Sequence, residues 1–365
     1  MASSRKDDTA AAAQQLGSMS LGESAEKEDS ETEPTKNGTT PTKKLCSACG
    51  EKSDALMKCR DCKCVWYCDR KCQNRHWKEH KKECKPIKKA LAKRGGKLNL
   101  GNELDVGPFE KPPPREECPI CMRALPIYEG LQMYSFCCGK TLCGGCDYQH
   151  KMKGAEQDIR QTVDGGLTVV RPRTCAFCRT VLPNSDEENL VSLRTRVDLE
   201  DPVALRNMAI HYGRGELGLP VDQTKCIDLL RQSAGLGFPG AQRQLGTFHY
   251  TGEMGLEQNE KEARTCWKKA AEGGHILAWY NLGCADASKA NHIASMRHFR
   301  LSASGGYRFA IKALIEIFDA GFFKHGDLVE TLQVFYLARA ELKSEDRDKY
   351  LAYLKTTGEY EAEYD

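Results

Sequence analysis

Between positions 46 and 84 the chain sets out metal-ligand side chains in pairs: Cys46-Ser-Ala-Cys49, Cys59-Arg-Asp-Cys62, Cys68-Asp-Arg-Lys-Cys72 and His80-Lys-Lys-Glu-Cys84. Two such ligands with two or three residues between them can reach one metal, and two pairs close a tetrahedral site of the structural kind. Eight ligands therefore fit two zinc ions. The segment has few aliphatic residues with which to build a core, so metal binding must supply its folding free energy, on the order of 10–16 kcal/mol per structural zinc. The same cysteines could make a disulfide framework, but that suits secreted chains. Residues 1–30 hold neither the apolar centre of a signal peptide nor a stretch long enough to span a membrane. The expectation is a reducing, cytoplasmic or nuclear compartment with zinc-bound thiolates.

The run Tyr67-Cys68-Asp-Arg-Lys-Cys72-Gln73, followed by Trp77-Lys-Glu-His80-Lys-Lys-Glu-Cys84, resembles the MYND-type zinc finger family ligand by ligand. The resemblance implies a cross-braced order: Cys46 and Cys49 share a zinc with Cys68 and Cys72, and Cys59 and Cys62 share one with His80 and Cys84. Cys64 falls outside that pattern as a spare thiol. His76, one turn before His80, is a competing ligand, although the His-x-x-x-Cys spacing favours His80. In the MYND family the positions of Gln73 and Trp77 belong to a shallow groove for short proline-containing peptides, with Tyr67 at its flank.

A second cluster opens at Cys118-Pro-Ile-Cys121, continues through Cys137-Cys138 and Cys143-Gly-Gly-Cys146, and ends at Cys175-Ala-Phe-Cys178-Arg179. It resembles the RING finger family, which also cross-braces two zincs. The resemblance implies one site from Cys118, Cys121, Cys143 and Cys146, and another from Cys175, Cys178 and two ligands in the middle. The family's usual middle histidine is replaced by Lys140. Cys137 together with Cys138 is the expected substitute, with His150 as the fallback. In ubiquitin ligases of this class an apolar residue in the first knuckle docks the ubiquitin-conjugating enzyme and a cation after the last cysteine clamps ubiquitin. Ile120 and Arg179 occupy those two places, whereas Ala176 stands where the family has a docking proline.

The remainder of the chain is of a different kind from these clusters. From Asp201 it repeats itself: Ala204-Leu-Arg-Asn-Met208, Ala241-Gln-Arg-Gln-Leu245, Ala278-Trp-Tyr-Asn-Leu282 and Ala310-Ile-Lys-Ala-Leu314 are copies of one phrase. A second phrase alternates with it, best seen in Cys266-Trp267-Lys-Lys-Ala270-Ala271-Glu-Gly-Gly274. The small residue lets two helices approach, and the large one four positions on fills the gap on the same face. Asp201-Pro202 starts a helix and the Gly-Gly pairs end others. This resembles the Sel-one-like branch of the tetratricopeptide-type solenoids over residues 201–342. Such a stack offers an extended concave surface rather than a reactive cleft, and Trp267 and Phe299 are expected in its core.

The 19 cysteines divide the chain, with eight in 46–84, eight in 118–178 and three beyond. The expected organisation is a disordered tail over 1–44, a MYND-type finger over 45–86, a basic, Pro-rich linker over 87–116, a RING-like finger over 117–182, repeats over 201–342 and an acidic tail over 343–365. The fold class is multi-domain and mainly α, with two small cross-braced zinc modules before a helical-hairpin solenoid. The net charge of +3 hides an asymmetry: residues 43–97 carry 18 Lys and Arg against 6 Asp and Glu. That basic face suits an acidic protein or a nuclear import receptor as well as it suits solvent. Nucleic-acid binding ranks third among the functions, because no aromatic platform or groove-reading finger accompanies the charge.

No catalytic centre is visible. Lysine methylation, found in some MYND proteins, needs a SET domain, and neither a Gly-rich cofactor loop nor an Asn-His-x-Cys signature is present. The expected function is that of a zinc-binding adaptor joining proteins, with proline-containing peptides as partners. The alternative is a RING-type ubiquitin ligase that uses the repeats and the MYND finger to choose its substrate.

Overall fold

A computed structural model describes residues 45–53, 55–163 and 172–360. The expected disordered tail lies outside the described residues.

The first finger begins with a short antiparallel pair, β1 (Met57–Lys58) and β2 (Trp66–Tyr67), and continues into helix α1 (Arg70–Lys93). Asp69 caps α1 by accepting a hydrogen bond from the Cys72 backbone N–H at 2.7 Å. That cap fixes Cys72 in the first turn. His76, His80, Glu83, Cys84, Ile87, Ala90 and Leu91 then follow at helical spacing along one buried face. The helix runs through Pro86, so the finger and the first residues of the expected linker are one element.

The second cluster is built on the hairpin β3 (Gln132–Ser135) and β4 (Lys140–Cys143), which leads into α2 (Gly144–Val163). Helix α3 (Asp186–Asp198), capped by Ser185, then leads into the stack. Four hairpins follow. They pair α4 (Pro202–Arg214) with α5 (Gln223–Gly235), α6 (Pro239–Thr251) with α7 (Glu260–Glu272), α8 (Ile276–Ala287) with α9 (His292–Ser304), and α10 (Arg308–Ala320) with α11 (His325–Leu342). Asp201, Asp222, Asn259 and Asn291 cap α4, α5, α7 and α9 with their side chains.

The repeated Leu-Gly dipeptide explains the packing within a hairpin. A Cβ on Gly246 would lie 2.6 Å from the Trp267 ring, and one on Gly283 would lie 2.7 Å from the Phe299 ring. Each glycine therefore makes the seat for the aromatic of its partner helix. Trp267 and Phe299 are buried, as core residues must be.

The segment from 343 does more than fray. Glu345–Thr357 forms helix α12, which packs on α2 rather than capping the repeats. Tyr148 on α2 stacks with Tyr350 and Tyr353 on α12. Residues 98–116 do not hang free either. Leu104 N–H donates to Phe322 O, Arg297 donates to Val106 O and Arg300 donates to Gly107 O, so this stretch lies along the repeats. The main core is shared between modules: buried Cys46, Cys62, Tyr67, Ile87 and Leu91 pack in one cluster with Phe318, Phe323, Phe335 and Tyr336 of the last hairpin.

Candidate metal centres

Four of the five Cys-x-x-Cys steps fold the same way, while the fifth, Cys143–Cys146, runs into α2. The residue after the second cysteine takes a positive φ: Gly50 (78°), Lys63 (57°), Met122 (53°) and Arg179 (65°). Its N–H donates to the carbonyl of the first cysteine, in Gly50 to Cys46, Lys63 to Cys59, Met122 to Cys118 and Arg179 to Cys175, at 2.8–3.1 Å. Three of the four are not glycine, so their left-handed backbone is strained, at a cost on the order of 1 kcal/mol each. A left-handed residue at four equivalent places gives each of these knuckles the same turn, with both sulfurs on one side.

The ligand atoms gather in four sets, and within each set they all lie within 4.8 Å of one another. The sets are Cys46, Cys49, Cys68 and Cys72; Cys59, Cys62, His80 and Cys84; Cys118, Cys121, Cys143 and Cys146; and Cys137, Cys138, Cys175 and Cys178. In both modules, pairs that alternate along the chain share a set. Around a tetrahedral zinc with Zn–S bonds near 2.3 Å, sulfurs should stand about 3.8 Å apart. Cys49 and Cys68 are 3.6 Å apart, Cys59 and Cys84 3.8 Å, Cys121 and Cys143 3.8 Å, and Cys138 and Cys175 4.0 Å. None of the cysteines is in a disulfide.

The electrostatics of the thiols point the same way. Cys118 is held down at about 4 because the Cys143 thiol donates to it, and Cys143 is pushed up in return. Cys59 is pulled far down by hydrogen bonds from Cys62 and Cys84, both of which rise. Crowded thiols cannot all ionise on their own. A dication at the centre of each set removes that conflict, because zinc binds them as thiolates.

His80 presents Nε2 to Cys62 Sγ at 3.4 Å. Its Nδ1–H donates to the Tyr336 hydroxyl at 3.1 Å, and that hydroxyl donates to Glu83 Oε2 at 2.7 Å. Arg308 completes the chain on Glu83 Oε1 at 3.0 Å. This relay leaves the Nε2 lone pair for a metal. Tyr336 and Arg308 come from the last repeat hairpin, more than two hundred residues away, and nothing in the finger's own sequence announces them.

His76 is not in a ligand set. Its Nδ1 meets the Tyr67 hydroxyl at 3.1 Å, and its ring lies edge-on to Tyr336. Tyr67 is buried, so it flanks no surface groove. Cys64 is buried against His325 Nε2 at 3.4 Å, another tie to the last hairpin. His150 also lies outside the sets. Its Nε2 meets Thr174 and its Nδ1 meets Arg179 at 2.6 Å.

Gln73 is half-buried and Trp77, one turn on, is 39% exposed. A tryptophan that was the finger's apolar plug would be covered, as Tyr67 is. On the second module Ile120 is exposed, and so are Met122 and Phe177, which sequence reasoning misses. Both stand within or beside a Cys-x-x-Cys step, where a large apolar residue left in water is the available signal. Ala176 is buried.

The MYND finger family model matches residues 46–84, and the Sel1 repeat model matches residues 202–238 and 239–275. The chain carries a MYND finger and Sel1 repeats. Residues of the MYND finger are 44% identical over 45 positions to the histone-lysine N-methyltransferase Smyd1 of Mus musculus, covering 12% of this chain and 9% of that one. They are 42% identical over 48 positions to the histone-lysine N-methyltransferase ASHR1 of Arabidopsis thaliana, covering 13% of this chain and 10% of the relative. The chain thus spans about a tenth of the length of these curated relatives. A Sel1 repeat protein from Oxalobacter formigenes covers 35% of this chain and 98% of its own at 27% identity and a TM-score of 0.32. A protective antigen of uropathogenic Escherichia coli with an SLR fold covers 60% of this chain and 43% of its own at 18% identity and a TM-score of 0.37. The described residues contain no helix long and apolar enough to cross a membrane.

Proposed function

We propose that this protein is a zinc-stabilised adaptor that holds four structural zinc ions, two in the MYND finger and two in a RING-like module over residues 117–182, and joins partner proteins. The four ligand sets with their common strained turn carry this reading. Each set supplies four protein ligands, which closes the coordination sphere and leaves no position for a substrate. The ions would hold the fold, and the surface would do the work.

The partner surface of the MYND finger is the α1 face bearing Gln73 and Trp77, and its ligands are short proline-containing peptides. An indole left in water beside a half-buried amide supports this assignment, because one lies flat on a proline ring and the other can bond a peptide backbone. Calorimetric titration of the full chain with a library of such peptides tests it. Binding that survives Trp77→Ala overturns it.

A second reading has support of its own. Ile120, Met122 and Phe177 leave large apolar side chains in water on the first and last knuckles of the RING-like module. They suit docking of a ubiquitin-conjugating enzyme, which would make the protein a ubiquitin ligase. Arg179 is turned toward His150 in this structure and would have to swing out to clamp ubiquitin. Autoubiquitination by the full chain with a panel of conjugating enzymes decides it: chains that form and vanish in Ile120→Ala support ligase activity, and none with any enzyme excludes it.

A further inference from the structure

The residues that lead into the RING-like hairpin reach across the repeats and deliver one carboxylate. Glu129 opens a one-turn 3-10 helix (Glu129–Leu131). Its Oε1 is 3.2 Å from His275 Nε2 and 3.9 Å from the Arg243 guanidinium, and its Oε2 accepts a hydrogen bond from Arg206. Arg206 lies in the first repeat, Arg243 in the second, and His275 where the second repeat leads into α8. Arg206 and Arg243 hold the same place in the repeated phrase, two residues after Ala204 and Ala241, and His275 precedes α8. The stack has therefore built a ladder of donors, and Glu129 is its anion.

The ladder offers more than Glu129 takes. Two guanidiniums face a single carboxylate. Arg243 Nε and His275 Nδ1 are buried and make no hydrogen bond. Burial by itself would push the Glu129 carboxyl up, yet Arg206, His275 and Arg243 hold it well below the usual carboxylate range. Beside the ladder lies a shallow cleft of about 100 Å³, open to solvent and lined by Arg115, Phe238, Pro239, Gly274, His275 and Ile276. An acidic side chain can enter from water next to the place where Glu129 sits.

Glu129 is also tethered. The strand that carries it is anchored at Gly274 by the close approach of Pro114 O, and at α9 by the bonds of Arg297 and Arg300 to Val106 and Gly107. A ligand held on a short tether acts at an effective concentration in the millimolar range, so an outside peptide must compete with it.

We propose that Arg206, Arg243 and His275 form a carboxylate-binding site on the repeats, which the chain fills with its own Glu129 and which acidic peptide segments of partner proteins take by displacing it. This rests on the reading of the protein as an adaptor and adds the chemistry its repeats recognise. Displacement would loosen one of several contacts between the RING-like module and the stack.

The test uses the zinc-loaded full chain and a fluorescein-labelled, proline-free peptide with the sequence of residues 127–134, followed by fluorescence anisotropy. The parent should bind this peptide weakly, and Glu129→Ala should bind it at least tenfold more tightly, because the tethered competitor has lost its anion. The same peptide with glutamine in place of its one glutamate should lose that gain, as should Arg206→Ala placed on top of Glu129→Ala. Equal affinity of the parent and Glu129→Ala, or equal binding of the two peptides, overturns the proposal. Glu129→Gln, which keeps the shape, serves as the second variant and should shift affinity in the same direction. If both variants lose helix by circular dichroism or lose zinc, Glu129 is a fold-holding ion pair only and the proposal falls. A proline-containing peptide run on the same samples separates the two claims: its binding at Trp77 should be unchanged whether or not the acidic peptide binds.

Discussion

The two cysteine clusters share a local turn, but they are joined to the repeats to different depths. The MYND finger is fused to the last hairpin through a dry, shared core. Ile87 and Leu91 pack with Phe318 and Phe335, Cys64 meets His325, and the His80 relay ends on Tyr336 and Arg308. The RING-like module is joined by smaller apolar patches, in which Tyr134 and Phe136 pack with Leu193, Ala204 and Met208 and Ile127 reaches the main core, and by a set of polar contacts. Glu129 enters the donor ladder, the Tyr134 hydroxyl donates to Asp201 at 2.6 Å, and Arg196 donates to Phe136 O and Cys137 O. Apolar burial gives a joint that does not come apart without unfolding. Ion pairs and single hydrogen bonds, each exchangeable with water, add less to the second joint than apolar burial adds to the first. The chain thus has one zinc module that is part of the stack and one that is attached to it.

Chelation should break this contrast open with the largest effect. Removing zinc should unfold both clusters, but only the MYND finger should take part of the stack with it. Hydrogen exchange should show α10 and α11 losing protection while α6 and α7 keep theirs. Uniform protection across the stack would mean that the shared core contributes little.

Trp77→Ala is the next largest. The exposed indole contributes little to the finger's core, so the variant should keep its zinc and its helix content. It should lose proline-peptide binding by about 2 kcal/mol or more, the usual loss for an aromatic anchor. Release of zinc on mutation would return Trp77 to the core.

Tyr336→Phe cuts the relay while leaving the ring in place. It should weaken zinc at the His80 set by about tenfold, the low end for losing an outer partner of a ligating histidine. Competition with a chromophoric chelator should show one of the four ions leaving earlier. The RING-like sets should be unaffected.

The smallest effect sharpens the polar side of the contrast. Arg196→Ala removes two hydrogen bonds that hold the loop before Cys138, and should destabilise the RING-like module by about 1–3 kcal/mol in chelator-free denaturant titrations. The MYND finger should not respond.

The clusters were legible in the sequence because a knuckle is local: its ligands lie a few residues apart, and the pairing of knuckles follows a known order. The repeats were legible because their phrase recurs, whereas the seating of Trp267 and Phe299 on Gly246 and Gly283 shows only in the fold. Contacts between distant segments were not legible. Nothing around Glu129 marks it as the anion of a ladder formed by residues 206, 243 and 275, and nothing around Tyr336 marks it as the partner of His80. The stretch 98–116 read as a linker because its Gly and Pro residues make no regular element, yet its backbone carbonyls bond Arg297 and Arg300. Helix α12 read as an acidic tail because its charges hide the tyrosine contact with α2 that holds it.

Both clusters, in the proposed reading, are closed structural zinc sites of one kind. Native mass spectrometry of the full chain, purified without chelator, tests it most directly. The parent should show a mass increment of four zinc ions, falling to two when Cys118 and Cys175 are both replaced by serine. An increment of two in the parent would contradict it.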